Sequence, residues 1–250
     1  LCFRRAGEFS LEAIRRGGHV HVDLGARVVL TRSADGGRTW DAPRVLGEFD
    51  AQCSQQGPSI AALRSGALLV NFFHYRIAPA EQKQNVPHAI YQLPDGSWAQ
   101  MEGPYAVRSC DSGATWESSL TRVDCRPLRA AAVADAVLEL PDGSLLMALY
   151  GTNAGDHMCL SYVVRSTDGG AAWGQPALIA GDPQQRMSFE EPAISLTPSG
   201  GLIAILRTAK EGVYQNLHSA FSHDGGRTWM PPQPTSMWGY PAHVFTALDG

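Results

Sequence analysis

Four octapeptides decide the fold: Ser33-Ala-Asp35-Gly-Gly37-Arg-Thr39-Trp40, Ser109-Cys-Asp111-Ser-Gly113-Ala-Thr115-Trp116, Ser166-Thr-Asp168-Gly-Gly170-Ala-Ala172-Trp173 and Ser222-His-Asp224-Gly-Gly226-Arg-Thr228-Trp229. They share the pattern S-x-D-x-G-x-T-W, from which only Ala172 departs. The residue types suit a hairpin tip. The Asp side chain accepts from backbone N–H groups just downstream and holds a tight turn. The second Gly takes positive φ without Cβ strain, and Ser and Thr tie off remaining backbone groups. The Trp then opens the next strand and is expected to bury its ring against a neighbouring sheet.

A second element recurs between the boxes. It reads Ile60-Ala-Ala-Leu63-Arg-Ser-Gly66-Ala-Leu68-Leu-Val70, Val137-Leu-Glu-Leu140-Pro-Asp-Gly143-Ser-Leu145-Leu-Met147 and Ile194-Ser-Leu196-Thr-Pro-Ser-Gly200-Gly-Leu202-Ile-Ala204. Each is a strand, a Gly-containing turn and a strand. A fourth copy begins at Pro241 and reaches its turn at Gly250. Each unit therefore holds two hairpins, hence four strands. The box serines lie 76, 57 and 56 residues apart. The long spacing predicts an insertion between about His74 and Gly103, read as a surface loop. Four-stranded units repeating at this length predict a β-propeller of about four blades within an all-β chain. Both ends read as lying inside a larger ring, whose first and last sheets here would expose apolar faces.

Composition agrees. Of 250 residues, 44% are apolar and 18% charged, with 26 Gly and 16 Pro, so core material and turn-formers are both abundant. A net charge of −4 argues against nucleic acid, which needs a basic surface. The apolar runs, such as Leu145 to Tyr150, are strand-sized and predict no membrane span. Five cysteines without a CxxC pair read as free thiols, and no metal-ligand spacing or phosphate-binding loop is present.

The octapeptides resemble the Asp boxes of the sialidase (neuraminidase) superfamily. That resemblance implies a six-bladed propeller of about 340 residues at this repeat length, with residues 1–250 forming one truncated domain. It implies a sialylated glycan or other carbohydrate as partner and no cofactor, although some relatives bind Ca²⁺ structurally. It also implies that the box aspartates are structural. In the family, a Glu that polarises a nucleophilic Tyr is followed by an Arg that grips the substrate carboxylate; Glu191 and Arg207, 16 residues apart, match that pair. The pairing has a physical logic. A neutral Tyr avoids the repulsion an anionic nucleophile meets beside the substrate carboxylate, and Arg offers a bidentate fork.

Alignment of the repeats sets Asp135 level with Glu191 as a pocket residue and Pro58, beside Gly57, level with both; relatives often place an Asp beside that Pro. The acid/base Asp of the family lies in the loop before the first box. Asp23 is the nearest acid there, with His19, His21 and Glu8 as further candidates. Arg4, or Arg5, falls near the strand position of Arg207. Tyr214 and Tyr240 are out of register for the nucleophile. The resemblance thus implies an exo-sialidase-like retaining hydrolase. Its alternatives are a glycosidase acting on neutral glycans through two carboxylates, with Asp135 and Glu191 as the pair, and a propeller that binds a glycan or a protein without turnover.

Overall fold

A computed structural model describes residues 1–7, 12, 15–16, 22–47, 52–86 and 91–246. Among them, four antiparallel sheets follow one another along the chain. The first holds β1 (Cys2–Arg5), β2 (Arg27–Leu30) and β3 (Arg44–Val45). The second holds β4 (Cys53–Ala62), β5 (Leu68–Ala78), β6 (Tyr91–Gln92), β7 (Trp98–Ser109) and β8 (Thr121–Arg122). The third holds β9 (Ala130–Ala132), β10 (Leu138–Glu139), β11 (Leu145–Thr152), β12 (Leu160–Ser166) and β13 (Gly174–Ala180). The fourth holds β14 (Met187–Leu196), β15 (Leu202–Lys210), β16 (Val213–Tyr214), β17 (His218–Ser222) and β18 (Gln233–Pro234). Strands adjacent in sequence pair in space, β10-β11-β12-β13 and β14-β15-β17-β18, which is the meander of a propeller blade.

The sheets stack face to face, because their central strands are apolar on both faces. On β11, Leu145, Met147 and Leu149 enter a core shared with Leu69, Phe73 and Tyr75 of the second sheet. Leu146 and Ala148 point the other way, into a core with Leu202, Ala204 and Leu206 of the fourth. Val70 and Phe72 of β5 meet Val28 and Leu30 of the first sheet. The fourth sheet and the segment after it leave Phe221, Met230, Met237, Trp238 and Phe245 exposed.

The boxes form as their residues dictate. Ser222 Oγ donates to Asp224 Oδ1 at 2.8 Å, and the Gly226 N–H donates to Ser222 Oγ at 2.8 Å. The Thr228 N–H and Oγ1 reach the two Asp224 oxygens at 2.9 and 2.6 Å. The same pattern repeats around Asp35 and Asp111, whose carboxyls these donors hold down at about 2. Around Asp168 the backbone N–H of Ala172 still donates, at 2.9 Å, but the hydroxyl contact has no counterpart. Trp173 is buried as expected, whereas Trp40 is half-exposed.

Each box also joins its blade to the one before. Arg108 and Arg165, the residues preceding the second and third box serines, donate to the carbonyls of Gly169 and Gly225 in the next box. Arg44 on β3 serves Gly113 and Ala114 in the same manner. The second box Gly packs against the preceding blade as well. A Cβ on Gly170 would lie 2.5 Å from Leu69 Cδ1, at a backbone φ of +90°.

The insertion is not a surface loop. β5 and β7 continue through it as a paired ladder from Tyr75↔Met101 to Ala78↔Trp98, past an irregularity at His74, and β6 adds a third strand at Tyr91↔Ala99. The reason lies in its alternation, since Tyr75, Ile77 and Ala99 are buried in the core shared with the third sheet. Polar Gln82 to Asn85 falls in a short 3-10 turn, Ala80–Asn85, at the tip.

The box geometry predicts that Ala172→Thr stabilises the protein. The new hydroxyl completes the one box that lacks it, a gain of about 0.5–1 kcal/mol for a single exposed hydrogen bond. Urea unfolding should show a higher midpoint at unchanged slope; an unchanged or lower midpoint contradicts this account of the box.

Candidate active site

The strand ladders show which positions are equivalent. Taking each box serine's partner on the adjacent strand as the origin, Leu68, Leu145 and Leu202 correspond. Five residues on from these stand Phe73, Tyr150 and Arg207, and all three line one cavity of about 770 Å³. The first sheet pairs Arg4 with Val28, and the same count sets Arg4 at this position too. Arg4 hydrogen-bonds Gln56 on β4 and is not among the residues lining the cavity. The cavity is also walled by Tyr75, Tyr91, Gln100 and Met101 of the β5–β7 extension, by Tyr214 and Tyr240, and by Glu190 and Glu191.

The same ladders correct the alignment of the acids. Leu196 pairs with Leu202, Ala62 with Leu68 and Glu139 with Leu145. Glu191 is therefore level with Gly57, not Pro58; in the third sheet, where Tyr150 pairs with Ala132 as Arg207 pairs with Glu190, that level falls at Val133 or, counted from the turn, at Ala134, and not at Asp135. The turn hydrogen bonds set Thr197, whose N–H donates to the Gly201 carbonyl, level with Leu63 and Leu140, one residue beyond Leu196. Asp135 consequently faces elsewhere. It pairs with His243 Nδ1 at 3.1 Å, in a separate groove with Ile194 and Phe245.

Glu191 and Gly57 each precede a proline, interrupt the register of an inner strand, and take positive φ, 46° and 55° respectively. For Gly57 that conformation is free, and a side chain there would meet Phe73 Cε1 at 2.8 Å. The second sheet thus carries an aromatic ring where the fourth carries its acid. For Glu191 the conformation is strained. Strain of this kind persists where surrounding structure over-determines it and is concentrated at functional sites.

Glu191 and Arg207 meet directly. Arg207 Nη1 donates to Glu191 Oε1 at 2.8 Å, and its Nε lies 3.8 Å from Glu190 Oε2. Tyr214 and Tyr240 stack on the guanidinium, with ring centroids 4.3 and 4.1 Å from its central carbon. Such cation–π contacts fix the plane of the arginine fork. Glu191 Oε2 and Arg207 Nε are buried without a hydrogen-bond partner, so the pair retains an acceptor and a donor. Burial, reinforced by the adjacent Glu191 charge and opposed by Arg207, holds the Glu190 carboxyl above the usual range. Burial pushes the Cys159 thiol up to about 12, so it is no thiolate nucleophile at neutral pH. Burial and the glutamates raise Tyr150 as well.

Asp23 is fully buried, accepts from the Gly7 N–H, and lies outside the cavity. His19, His21 and Glu8 fall outside the described residues. Sequence reasoning missed the aromatic walls. Tyr214 and Tyr240 carry no nucleophile register, and Tyr75 and Tyr91 fall in the segment whose sequence reads as a loop. Among the described residues no cluster of His, Cys, Asp or Glu could hold a metal ion. The described cysteines, at 2, 53, 110, 125 and 159, form no disulfide with one another.

Residues 78–244 match the BNR repeat-like domain, so the chain belongs to that family. No curated protein matches it. Among solved structures, a protein of unknown function from Dyadobacter fermentans is similar at 26% identity and a TM-score of 0.82. The match covers 99% of this chain and 68% of that one. A Hadza microbial sialidase is 18% identical with a TM-score of 0.61, over 82% of this chain and 39% of its own. A leech intramolecular trans-sialidase is 16% identical with a TM-score of 0.60, over 84% and 46%. The chain thus spans less than half the length of these two enzymes, and at such identity they speak for the fold alone.

The environment of Glu190 predicts a pH dependence. Its carboxyl binds a proton more tightly folded than unfolded, so the native state gains protons and stability falls as pH rises through the raised value. Glu190→Gln should raise the thermal midpoint at neutral pH and flatten its decline between the ordinary carboxylate range and neutrality. Superimposable profiles for wild type and variant would show that burial does not raise the Glu190 carboxyl.

Proposed function

We propose that this chain carries the Glu191–Arg207 part of an exo-sialidase-like site, which in the whole protein releases a terminal acidic sugar with retention. The observation that supports the reading is the strained, half-satisfied ion pair on the cavity wall. A glutamate held at positive φ leaves Oε2 without a hydrogen-bond partner beside an arginine whose plane is set by two tyrosine rings.

In this reading Arg207 donates its remaining N–H groups to the sugar carboxylate, a contact that benefits from a fixed planar fork. Glu191 Oε2 accepts the proton of the tyrosine that attacks the anomeric carbon. Among the described residues no tyrosine hydroxyl bonds to Glu191, so that tyrosine is left unassigned. Asp23 is the proposed acid/base and Arg4, level with Arg207, a proposed second carboxylate ligand. Each must reach the substrate from outside the cavity wall described above. The aromatic lining suits a sugar, since ring faces pack on its C–H surfaces while polar groups fix orientation. The two-carboxylate alternative loses support, because Asp135 is engaged by His243 away from Glu191. Binding without turnover remains the second reading, favoured by Phe73 filling the place of an acid beside Gly57.

Glu191→Gln in the whole protein should lower kcat on a fluorogenic sialoside by about a hundredfold or more, the scale of a lost general base, with an unchanged unfolding midpoint. Equal activity in the variant removes Glu191 from the chemistry. Tight sialoside binding by a wild type that never turns over favours the binding reading.

A further inference from the structure

The cavity holds a second guanidinium that neither the repeats nor the resemblance singled out. Arg129 directly precedes β9, and its backbone N–H donates to the Thr152 carbonyl at 2.9 Å. β9 and β11 press together here: a Cβ on Gly151 would clash with the Ala130 carbonyl oxygen. That close approach gives Arg129 a rigid base. Its side chain is exposed and lines the cavity beside Ala130, Gly151 and Thr152.

One observation sets Arg129 apart from Arg207: among the described residues no carboxylate lies within ion-pair distance of Arg129, whereas Arg207 has Glu191 and Glu190. The cavity lining therefore carries two guanidinium groups, one engaged by carboxylates and one not.

We infer that Arg129 is a specificity-determining residue that holds a second anionic group, a carboxylate or sulfate on the glycan residue next to the one engaged at Glu191 and Arg207. The inference rests on the proposal that the cavity binds a glycan. Its chemistry is that of an unpaired planar fork on a rigid strand, which fits a carboxylate or sulfate through two parallel N–H donors. Tyr75 and Tyr91 supply apolar ring faces in the same lining. Arg129 is thus assigned to choosing the ligand, not to bond cleavage.

Calorimetric titration of the chain against two matched pairs tests this. One pair is a disialoside and neutral-cored sialyllactose; the other is digalacturonate and its monomethyl ester. Wild type should bind the dianion of a pair about fivefold or more tighter than the monoanion, the scale of one partly exposed ion pair. Arg129→Ala should abolish that preference while leaving monoanion affinity unchanged, and Arg129→Lys should restore part of it. Equal affinities in wild type, equal weakening of both members by Arg129→Ala, or failure of both dianions to bind would overturn the assignment. If only the uronate pair binds and its preference depends on Arg129, the assignment stands and the sialoside reading falls. If sialyllactose binds without any dianion preference, the reverse holds.

Discussion

The structure depends on the contact between an arginine of one blade and the box glycine of the next. A single Asp box holds its own hairpin, but a hairpin has no means of burying an apolar strand on both faces. Leu145 to Leu149 is such a strand, and it needs a sheet on either side. Arg108 to Gly169 and Arg165 to Gly225 set the blades at one spacing, because both donor and acceptor occupy fixed places relative to the box. The second glycine of the box then has two reasons to lack a side chain: positive φ within the hairpin, and the Leu69 or Leu146 methyl of the preceding blade against it. The box is a joint between blades as much as a turn.

That fixed stacking is what lets equivalent strand positions converge on one cavity. Phe73, Tyr150 and Arg207 occupy the same rung of successive sheets and meet around one space. Two of the three are aromatic and one is charged, so the site is asymmetric on a symmetric frame. The asymmetry extends to the inner strands. The same proline-linked interruption holds Gly57 in the second sheet and Glu191 in the fourth. Where glycine sits, Phe73 takes the room; where glutamate sits, the chain holds an unfavourable φ and gains an acid aimed at Arg207.

Much of this was legible in the sequence, and what was not has identifiable causes. The boxes declare themselves because a turn that spends Asp, Gly, Thr and Trp on local geometry leaves little freedom of residue type. The Glu191–Arg207 pair was legible through resemblance, and the two side chains meet on the cavity wall. The one-residue slip at Asp135 arose because the three turns are equal in length but the fourth sheet has a Thr where the others have a Leu, so its nearest Leu lies one residue early. Thr197, not Leu196, closes the fourth sheet's hairpin, and a slip of one residue turns a strand side chain to the opposite face. The β5–β7 extension was misread because Gln82 to Pro87 looks like a loop while the alternation of Tyr75, Ile77 and Ala99 is split by that tip. Arg129 carried no motif, since its place in the cavity follows from close packing of β9 on β11.

The central claim is that the cavity around Glu191 and Arg207 is a carbohydrate acid site held by blade stacking. A crystal structure of the chain soaked with an unsaturated sialic acid analogue tests it most directly. The account predicts the sugar carboxylate within hydrogen-bond distance of Arg207, a ligand donor on Glu191 Oε2, and Glu191 still at positive φ. A ligand bound elsewhere, or a Glu191 relaxed to ordinary backbone and turned out of the cavity, would contradict it.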